Sequence, residues 1–318
     1  MPPGIGRHAH GDILAAIGQT PMVELSRLAP HPEVRLFAKL EGNNPTGSVK
    51  DRIALRMLRE AREAGALQPG QTILEPSSGN TGISLAMIGA RMGHPVRIVM
   101  PDNTTPERGQ LLRLFGAEIV PSPGAEGSNG AVRLAQSLAD ADPAVFMPYQ
   151  YGNEANPAAH YATTGPEILE QVPDVDVFVA GLGTGGTLTG VGRFLKERKP
   201  EVRIVAAEPL PGEQVQGLRS LDEGFVPPVL DASVLDDRFL VSNRDALLGL
   251  RRLLRDEGIF GGLSSGAAIA VAVRVAREMK RGAVVALLAD GGWKYLSTDL
   301  WTRPLDELED ELEGALLW

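Results

Sequence analysis

Short apolar runs and segments with helical spacing alternate along most of the chain. Ile53, Met57 and Ala61 recur at helical spacing, which predicts a helix from about Val49 to Ala64. Residues 80–92 are apolar almost all round, which is typical of a helix buried between a sheet and another layer. Strands are predicted at 35–41, 72–75, 96–100, 118–120, 145–147, 177–181, 202–207 and 283–288, and further helices from 105 and at 129–139, 187–196, 245–257 and 266–279. This alternation predicts an α/β fold with parallel-rich twisted sheets flanked by helices.

Composition narrows the possible function classes. The 318 residues suffice for two modest domains, and 43% are apolar, as in ordinary globular proteins. The net charge of −9 argues against a nucleic-acid partner, and no apolar run is long enough for a membrane span. The absence of cysteine excludes disulfides and thiolate catalysis, and no metal site is expected. Residues 1–12 lack the apolar core of a signal peptide, so a cytoplasmic location is expected.

The segment 43–52 begins as a turn and continues into the first long helix. Ser48 and Asp51 are spaced as a capping pair, which places Lys50 in the first helical turn. A cation at that position opposes the helix dipole and gains from losing its charge. A neutral lysine amine can attack a carbonyl group, whereas an ordinary lysine, with a pKa of about 10.4, is a poor nucleophile at neutral pH. The alternative is a solvated lysine beside Asp51.

Three turns share one design, in which a strand ends, small residues follow and a helix begins. They lie at 76–82, 181–187 and 261–266. Free N–H groups at a helix start bind anions, so three such turns favour a ligand with several polar groups. The second turn, Gly181 to Gly186, also has the spacing G-x-G-x-x-G, and Glu208 ends the next strand. An NAD-dependent oxidoreductase is therefore an alternative on spacing alone.

Four stretches together resemble the cysteine synthases, which belong to the β-family (fold type II) of pyridoxal-phosphate (PLP) enzymes. They are 43–52, 75–82, 183–187 and 261–266, and the resemblance extends from about Gly18 to Thr298. It implies a two-domain fold with the cofactor in the interdomain cleft, and a homodimer. The smaller, mobile domain would span 46–150, and the larger PLP-binding domain 12–45 and 151–305. Residues 306–318 would form an acidic tail with an apolar end.

The resemblance also implies roles for individual residues. Lys50 would form the Schiff base with the cofactor, Asn80 would contact its ring hydroxyl, and Ser264 would face the pyridine nitrogen, although Ser265 is an alternative. A hydroxyl at that nitrogen leaves the ring largely unprotonated, which favours expulsion of a β-substituent. The cofactor phosphate would be bound by Gly183, Thr184, Gly185, Gly186 and Thr187. The substrate carboxylate would be bound by Ser77, Ser78, Gly79, Asn80, Thr81 and Gln150.

The implied reaction is a β-replacement that yields cysteine. The substrate amine displaces Lys50, which then removes the α-proton, and a sulfur nucleophile replaces the β-substituent. Residues 216–227 and 289–298 most resemble the branch that uses O-phosphoserine, in which Arg219 would bind the substrate phosphate. An ordinary surface arginine, balanced by Asp222 and Glu223, is the alternative. In that branch a small sulfur-carrier protein can supply the sulfur as a thiocarboxylate.

Other functions remain open from the sequence. O-acetylserine is the common substrate of the family, and sulfide or thiosulfate can replace the thiocarboxylate as sulfur donor. Cystathionine β-synthase and the serine or threonine dehydratases share the fold, but a dehydratase leaves Arg219 without a role. The NAD-dependent oxidoreductase and a non-catalytic amino-acid-binding protein are more distant alternatives.

Overall fold

A computed structural model describes residues 10–77, 79–213 and 215–308. Its strands are β1 (Met22–Glu24), β2 (Val34–Leu40), β3 (Thr72–Pro76), β4 (Val96–Pro101), β5 (Glu118–Ser122), β6 (Val145–Phe146), β7 (Val175–Gly181), β8 (Arg203–Pro209), β9 (Asp237–Val241) and β10 (Gly282–Leu288). Its α-helices are α1 (Lys50–Glu63), α2 (Asn80–Met92), α3 (Pro106–Leu114), α4 (Gly127–Ala141), α5 (Ala155–Ala159), α6 (Gly165–Gln171), α7 (Gly186–Arg198), α8 (Asn243–Glu257) and α9 (Leu263–Glu278). A π-helical turn, His160–Thr164, joins α5 to α6.

The strands form two sheets. The larger has the order β1-β2-β10-β7-β8-β9, in which β1 pairs antiparallel with β2 and the other pairs are parallel. The smaller sheet has the order β5-β4-β3-β6 and is parallel. Parallel strands place their carboxyl ends at the same edge of a sheet, so the glycine-rich turns after β3 and β7 belong to the edges where ligands bind. The third turn, 261–266, does not follow a strand as predicted: it follows α8, and Gly261 forms only an isolated bridge with Gly291.

Both sheets are covered on both faces by helices. In β7, Val177 and Val179 face the core beneath α8 and α9, whereas Phe178 and Ala180 face the core beneath α7. A strand buried on both faces is apolar at every position, which explains its continuous apolar run. Helix α2 lies inside the smaller unit, as predicted, with residues 81–89 all buried. The predicted α/β fold is therefore confirmed.

Several local predictions were incomplete. Strands β1 and β9 were not predicted, because Met22–Glu24 is only three residues long and Asp237–Val241 carries charged residues. The stretch 149–157, predicted as a break between domains, includes the start of α5. The proposed capping pair is wrong: the helix follows Val49 with no side-chain cap, and Asp51 accepts hydrogen bonds from Thr46 and Ser84 instead.

The loop before α1 is joined to the end of β10. The Val49 N–H donates to the Ala289 carbonyl at 2.8 Å, the Gly291 N–H donates to the Gly47 carbonyl, and Ser48 forms an isolated bridge with Asp290. These contacts bring a segment of the larger sheet against the first residue of α1. In the part of the chain that the structure describes, none of the helices has the length and apolarity needed to span a membrane.

Candidate active site

A cavity of about 200 Å³ lies where the carboxyl ends of β3, β7, β8 and β10 meet. An adjoining cavity of about 40 Å³ lies at the start of α7. The predicted site residues that line the larger cavity are Lys50, Ser77, Gly79, Asn80, Thr81, Gln150, Gly183, Thr184, Arg219 and Ser264, and those that line only the smaller one are Gly185 and Thr187. Gly186 is buried behind them, and Ser78 lies outside the described residues.

Lys50 is the first residue of α1, and its side chain lines both cavities. Its pKa is lowered from the ordinary lysine value because burial disfavours the charged amine, and the nearby Asp290 carboxylate opposes this shift. The direction agrees with the sequence prediction. The dominant cause is burial, however, whereas the sequence argument relied on the helix dipole.

A further lysine with a lowered pKa, Lys294, contacts the loop before Lys50 but does not line the cavity. Its side chain is fully buried, and burial lowers its pKa to about 8. The Lys294 Nζ donates to the Asn80 Oδ1 at 2.7 Å and to the Gly47 carbonyl at 3.2 Å. Lys50 is therefore the lysine that can meet a ligand in the cavity.

The first glycine-rich turn presents hydroxyl and amide groups to the cavity. The Ser77 Oγ accepts hydrogen bonds from the N–H groups of Gly79 and Gly82 at 3.2 and 3.0 Å, so its own proton remains available to a ligand. The Thr81 hydroxyl donates to the Gln150 Oε1 at 2.7 Å. This bond joins two predicted carboxylate-binding residues that are 69 positions apart in the chain.

Glu75, which the sequence analysis missed, holds Gln150 in place. Its buried carboxylate accepts hydrogen bonds from the N–H groups of Tyr149 and Gln150 at 2.8 and 3.0 Å. Tyr149 has φ +54°, a conformation that non-glycine residues rarely adopt, and these bonds stabilise it. Burial raises the pKa of Glu75 to about 7. A carboxylate within the apolar strand β3 was the signal available in the sequence.

The second glycine-rich turn forms an anion cradle at the start of α7. Gly185 precedes the helix with φ +83°, and the Thr184 Oγ1 accepts a hydrogen bond from the Gly186 N–H at 3.3 Å. A Cβ on Gly183 would lie 2.6 Å from the Gly217 carbonyl oxygen, so a larger residue would close the approach to the backbone. The other N–H groups of this helix start, beside a cavity that glycine leaves open, suit a phosphate group.

Glu208 does not have the role that a dinucleotide site would give it. Its buried carboxylate accepts a hydrogen bond from the Leu221 N–H at 3.2 Å and lies 3.5 Å from the Arg238 Nε. It therefore holds a loop of the protein and does not line the described cavities. The G-x-G-x-x-G spacing accordingly reflects a single phosphate-sized cradle.

The donor set fits PLP. A lysine amine of lowered pKa faces the cavity, an anion cradle lies beside it, and Asn80 and Ser264 offer an amide and a hydroxyl. A sequence model of the family described as pyridoxal-phosphate dependent enzyme matches residues 13–291. The chain belongs to this family.

Curated relatives and solved structures agree with that assignment. A probable cysteine synthase of Bacillus subtilis (strain 168) is 44% identical over 298 residues, which cover 90% of this chain and 96% of the relative. A cysteine synthase (OASS) structure from Entamoeba histolytica superposes with a TM-score of 0.89 at 35% identity, covering 97% of this chain and 98% of the other. An O-ureido-L-serine synthase structure has a TM-score of 0.88 at 42% identity, with 95% and 99% covered.

In this PLP enzyme, Ser264 and not Ser265 lines the cavity. Both lie in the first turn of α9, which begins at Leu263, earlier than the predicted helix start at 266. Ser265 is fully buried and its hydroxyl has no hydrogen-bond partner among the described residues. The position of Ser264 favours it as the hydroxyl that faces a cofactor ring. Within the described ranges, His, Asp and Glu side chains form no group of three suited to a metal ion.

Arg219 of this enzyme projects from the loop after β8 to the cavity. Its guanidinium lies 4.9 Å from the ring centroid of Tyr151 and 5.0 Å from that of Phe225, and these two rings meet edge to face. Its Nη2 donates to the Tyr151 hydroxyl at 3.2 Å. Two rings of this kind hold the cation in place without neutralising it.

Asp222, one of the two carboxylates expected to balance Arg219, does not pair with it. Asp222 lies 3.7 Å from the Arg238 Nη2, and the side chain of Glu223 lies outside the described set. Across residues 10–308, apart from the undescribed positions, no carboxylate forms an ion pair with Arg219. A guanidinium beside the cavity is therefore available to an anion.

Proposed function

We propose that this chain is a cysteine synthase that replaces the β-substituent of an activated serine with sulfur. The observation that carries the proposal is a cavity-facing lysine of lowered pKa, Lys50, among an anion cradle, a hydroxyl-rich turn and Arg219. The chain is similar to cysteine synthases over most of their length, and this similarity supports the same reaction class, a PLP-dependent transfer.

Different residues of the chain have different roles in the proposed reaction. Residues 183–187 hold the cofactor phosphate, and Ser77, Thr81 and Gln150 hold the substrate carboxylate. When bound, the cofactor supplies an electron sink for the α-carbon. Lys50, once displaced by the substrate amine, is the base that takes the α-proton, and burial keeps its neutral form accessible. Ser264 leaves the ring nitrogen without a strong proton partner, which favours loss of the β-substituent.

We further propose that O-phosphoserine is the preferred substrate. A planar guanidinium can bind two phosphate oxygens at once and stabilise the phosphate as it departs. Arg219 lies against the rings of Tyr151 and Phe225 and is left without an ion pair among the described carboxylates. An acetyl group offers no charge for such a residue to recognise. O-acetylserine is the second candidate, supported by the similarity of the chain to a solved O-acetyl serine sulfhydrylase, isoform 3 from Entamoeba histolytica.

Arg219→Ala should separate these substrates. Loss of hydrogen bonds to a charged group costs about 1.5–3 kcal/mol, so kcat/KM for O-phosphoserine should fall about 10- to 100-fold while that for O-acetylserine changes little. Arg219→Lys should give an intermediate kcat/KM for O-phosphoserine, because a lysine keeps the positive charge but lacks the planar guanidinium that can donate two hydrogen bonds to one phosphate. The matched control is Arg203→Ala, because Arg203 is a half-exposed arginine of β8 that pairs with Asp237 and does not line the cavity. Equal losses for both substrates would contradict the assignment.

Glu75→Gln should raise KM for the amino-acid substrate. A protonated Glu75 has one strong acceptor oxygen left, so one of its bonds to the N–H groups of Tyr149 and Gln150 weakens as the pH falls below about 7. The native KM should therefore rise below pH 7, by up to about tenfold. The glutamine variant, with a single acceptor, should show the raised KM at every pH.

Steady-state measurements between pH 6 and about 8.5 would check this pH dependence, which spans the pKa of about 7. Glu257→Gln provides the control, because Glu257 also accepts hydrogen bonds from two successive backbone N–H groups, those of Arg27 and Leu28, but does not line the cavity. A native KM that is flat across this range, or a Glu257→Gln profile that matches Glu75→Gln, would be evidence against a role for Glu75.

The reaction class has a direct test. The purified protein should absorb at the violet edge of the visible spectrum, and borohydride should attach the cofactor covalently to the peptide that contains Lys50. Incubation with O-phosphoserine or O-acetylserine and sulfide should release cysteine. Cystathionine β-synthase activity, dehydration of free serine and O-ureidoserine formation are alternative outcomes of the same assay with other substrates. NAD would produce neither the violet band nor the borohydride adduct.

The remaining predictions concern architecture and partners. We propose that 46–150 form a smaller mobile domain and that 12–45 and 151–305 form the larger PLP-binding domain; the two-sheet division supports this, because β3 to β6 belong to one sheet and the other strands to the second. Leu308, in the predicted tail, packs on the core of the larger sheet, and residues 309–318 lie outside the described part. A homodimer, a sulfur-carrier partner and a cytoplasmic location remain predictions.

A further inference from the structure

Behind the cavity, four side chains form a buried hydrogen-bonded network around Asn80. The Lys294 Nζ donates to the Asn80 Oδ1 at 2.7 Å, and the Asn80 Nδ2 donates to the Asp290 Oδ2 at 2.8 Å. The Tyr295 hydroxyl donates to the same Asp290 oxygen at 2.6 Å. Lys294 and Asp290 are both fully or almost fully buried, at 0% and 2% exposure. Of these four residues, only Asn80 and Tyr295 line the cavity.

The two partners of Asn80 determine which way its amide group points. An ammonium group has donors only, so the Asn80 atom beside Lys294 must be the carbonyl oxygen. A carboxylate has acceptors only, so the atom beside Asp290 must be the amide nitrogen. Rotation of the amide by 180° would place two donors together and two acceptors together in a buried environment, which is costly.

This orientation limits what Asn80 can offer to a ligand. Its oxygen accepts from Lys294, and one of its two N–H groups donates to Asp290. The group left for a molecule in the cavity is the second N–H, which is a donor. The side chain of Asn80 therefore recognises an acceptor and disfavours a group that must itself donate.

We propose that Lys294 and Asp290 are positioning residues that hold Asn80 as a donor, so that the enzyme binds its cofactor with the ring oxygen deprotonated. The proposal rests on the proposed function in one respect, the contact between Asn80 and the ring hydroxyl. Lys294 also bonds the Gly47 carbonyl in the loop before Lys50, so the same side chain links the amide to the segment that carries the catalytic lysine.

The absorption spectrum of the holoenzyme without substrate tests this proposal. A deprotonated ring oxygen gives a violet band, and a protonated one shifts absorption to the near ultraviolet. In Lys294→Met only Asp290 still favours the donor orientation, so the rotated amide becomes more populated and the ratio of the violet to the near-ultraviolet band should fall by up to about tenfold, the loss expected for one charge-assisted hydrogen bond. Asp290→Asn should change the ratio in the same direction, because an amide at 290 can also act as a donor.

Lys39→Met is the matched control. Lys39 is also a fully buried lysine, but it donates to the Thr20 carbonyl and the Gln171 Oε1, away from the cavity. Its replacement should lower thermal stability without changing the band ratio. A purely structural role for Lys294 would give Lys294→Met and Lys39→Met the same spectrum.

Two results would overturn the inference. If native enzyme shows the violet band and both Lys294→Met and Asp290→Asn retain its ratio, the network does not control the ring oxygen, while the proposed function stands. If native protein shows no cofactor band after incubation with PLP, the proposed function fails and the inference fails with it. Should Lys294→Met not fold, Asp290→Asn alone decides whether the network controls the ring oxygen.

Discussion

Lys50→Ala is expected to reduce cysteine formation at least about 10³-fold, because the variant loses both the amine that holds the cofactor and the base that moves the α-proton. Burial already favours the neutral form of this amine, and the residue lines both cavities. Borohydride treatment of the variant should no longer attach the cofactor covalently. Steady-state rates and peptide mass analysis check both parts of the prediction.

Lys50→Arg is the matched control for charge. An arginine at position 50 keeps a cation at the start of α1 but cannot condense with the cofactor aldehyde, so it should be as inactive as the alanine variant. Small primary amines added to Lys50→Ala should restore part of the rate if the missing function is the amine itself. A borohydride adduct in Lys50→Ala would instead show that another lysine holds the cofactor, and Lys294 would be the first candidate.

Arg52→Met is expected to destabilise the folded protein by about 3–5 kcal/mol, the usual cost of removing one partner from a buried ionic network. The Arg52 guanidinium bonds both oxygens of Glu41 and both oxygens of Glu167, at 2.7 to 2.9 Å, and its side chain is 1% exposed. Without it, the fully buried Glu41 carboxylate keeps only neutral donors, including Thr20.

The destabilisation should depend on pH. Burial alone would raise the pKa of Glu167, but Arg52 and Lys39 lower it to about 2. A depressed carboxyl pKa stabilises the fold above the unfolded value of about 4.5, and that contribution is lost as the pH falls through about 2. The difference in the free energy of unfolding between native and Arg52→Met protein should therefore be greatest at neutral pH and become smaller as the pH falls below about 4.5.

Urea unfolding at several pH values measures this difference. Arg56→Ala is the control, because Arg56 lies one turn further along α1 and pairs with Glu60 at the surface, where such a pair contributes less than about 1 kcal/mol. A loss for Arg52→Met that is no greater than that of Arg56→Ala would show that the buried network does not stabilise the fold.

The local pattern of the chain was sufficient for much of the fold and part of the site. Periodicity placed α2 and its buried faces, and the turn chemistry at 76–82 and 181–187 placed turns at the starts of α2 and α7, because both depend on residues close together in sequence. Lys50 was proposed as a site residue in the same way, from its place at a helix start, and the structure places it on the cavity. Assigning PLP itself required resemblance to a family, since spacing alone left an NAD site open.

Contacts between distant segments could be seen only in the tertiary structure. Glu75 holds Gln150 across 75 positions, Lys294 orients Asn80 across 214, and Arg52 joins Glu167 across 115. Arg219 was proposed from the resemblance, but only the structure shows that Asp222 lies beside Arg238 and does not pair with Arg219. The spacing of hydrophobic residues determines which face of a helix or strand is buried, and the turn residues determine where the chain changes direction, so both are local in the sequence. A buried polar group acquires its hydrogen-bond partner and its shifted pKa only when the two sheets and their helices pack together.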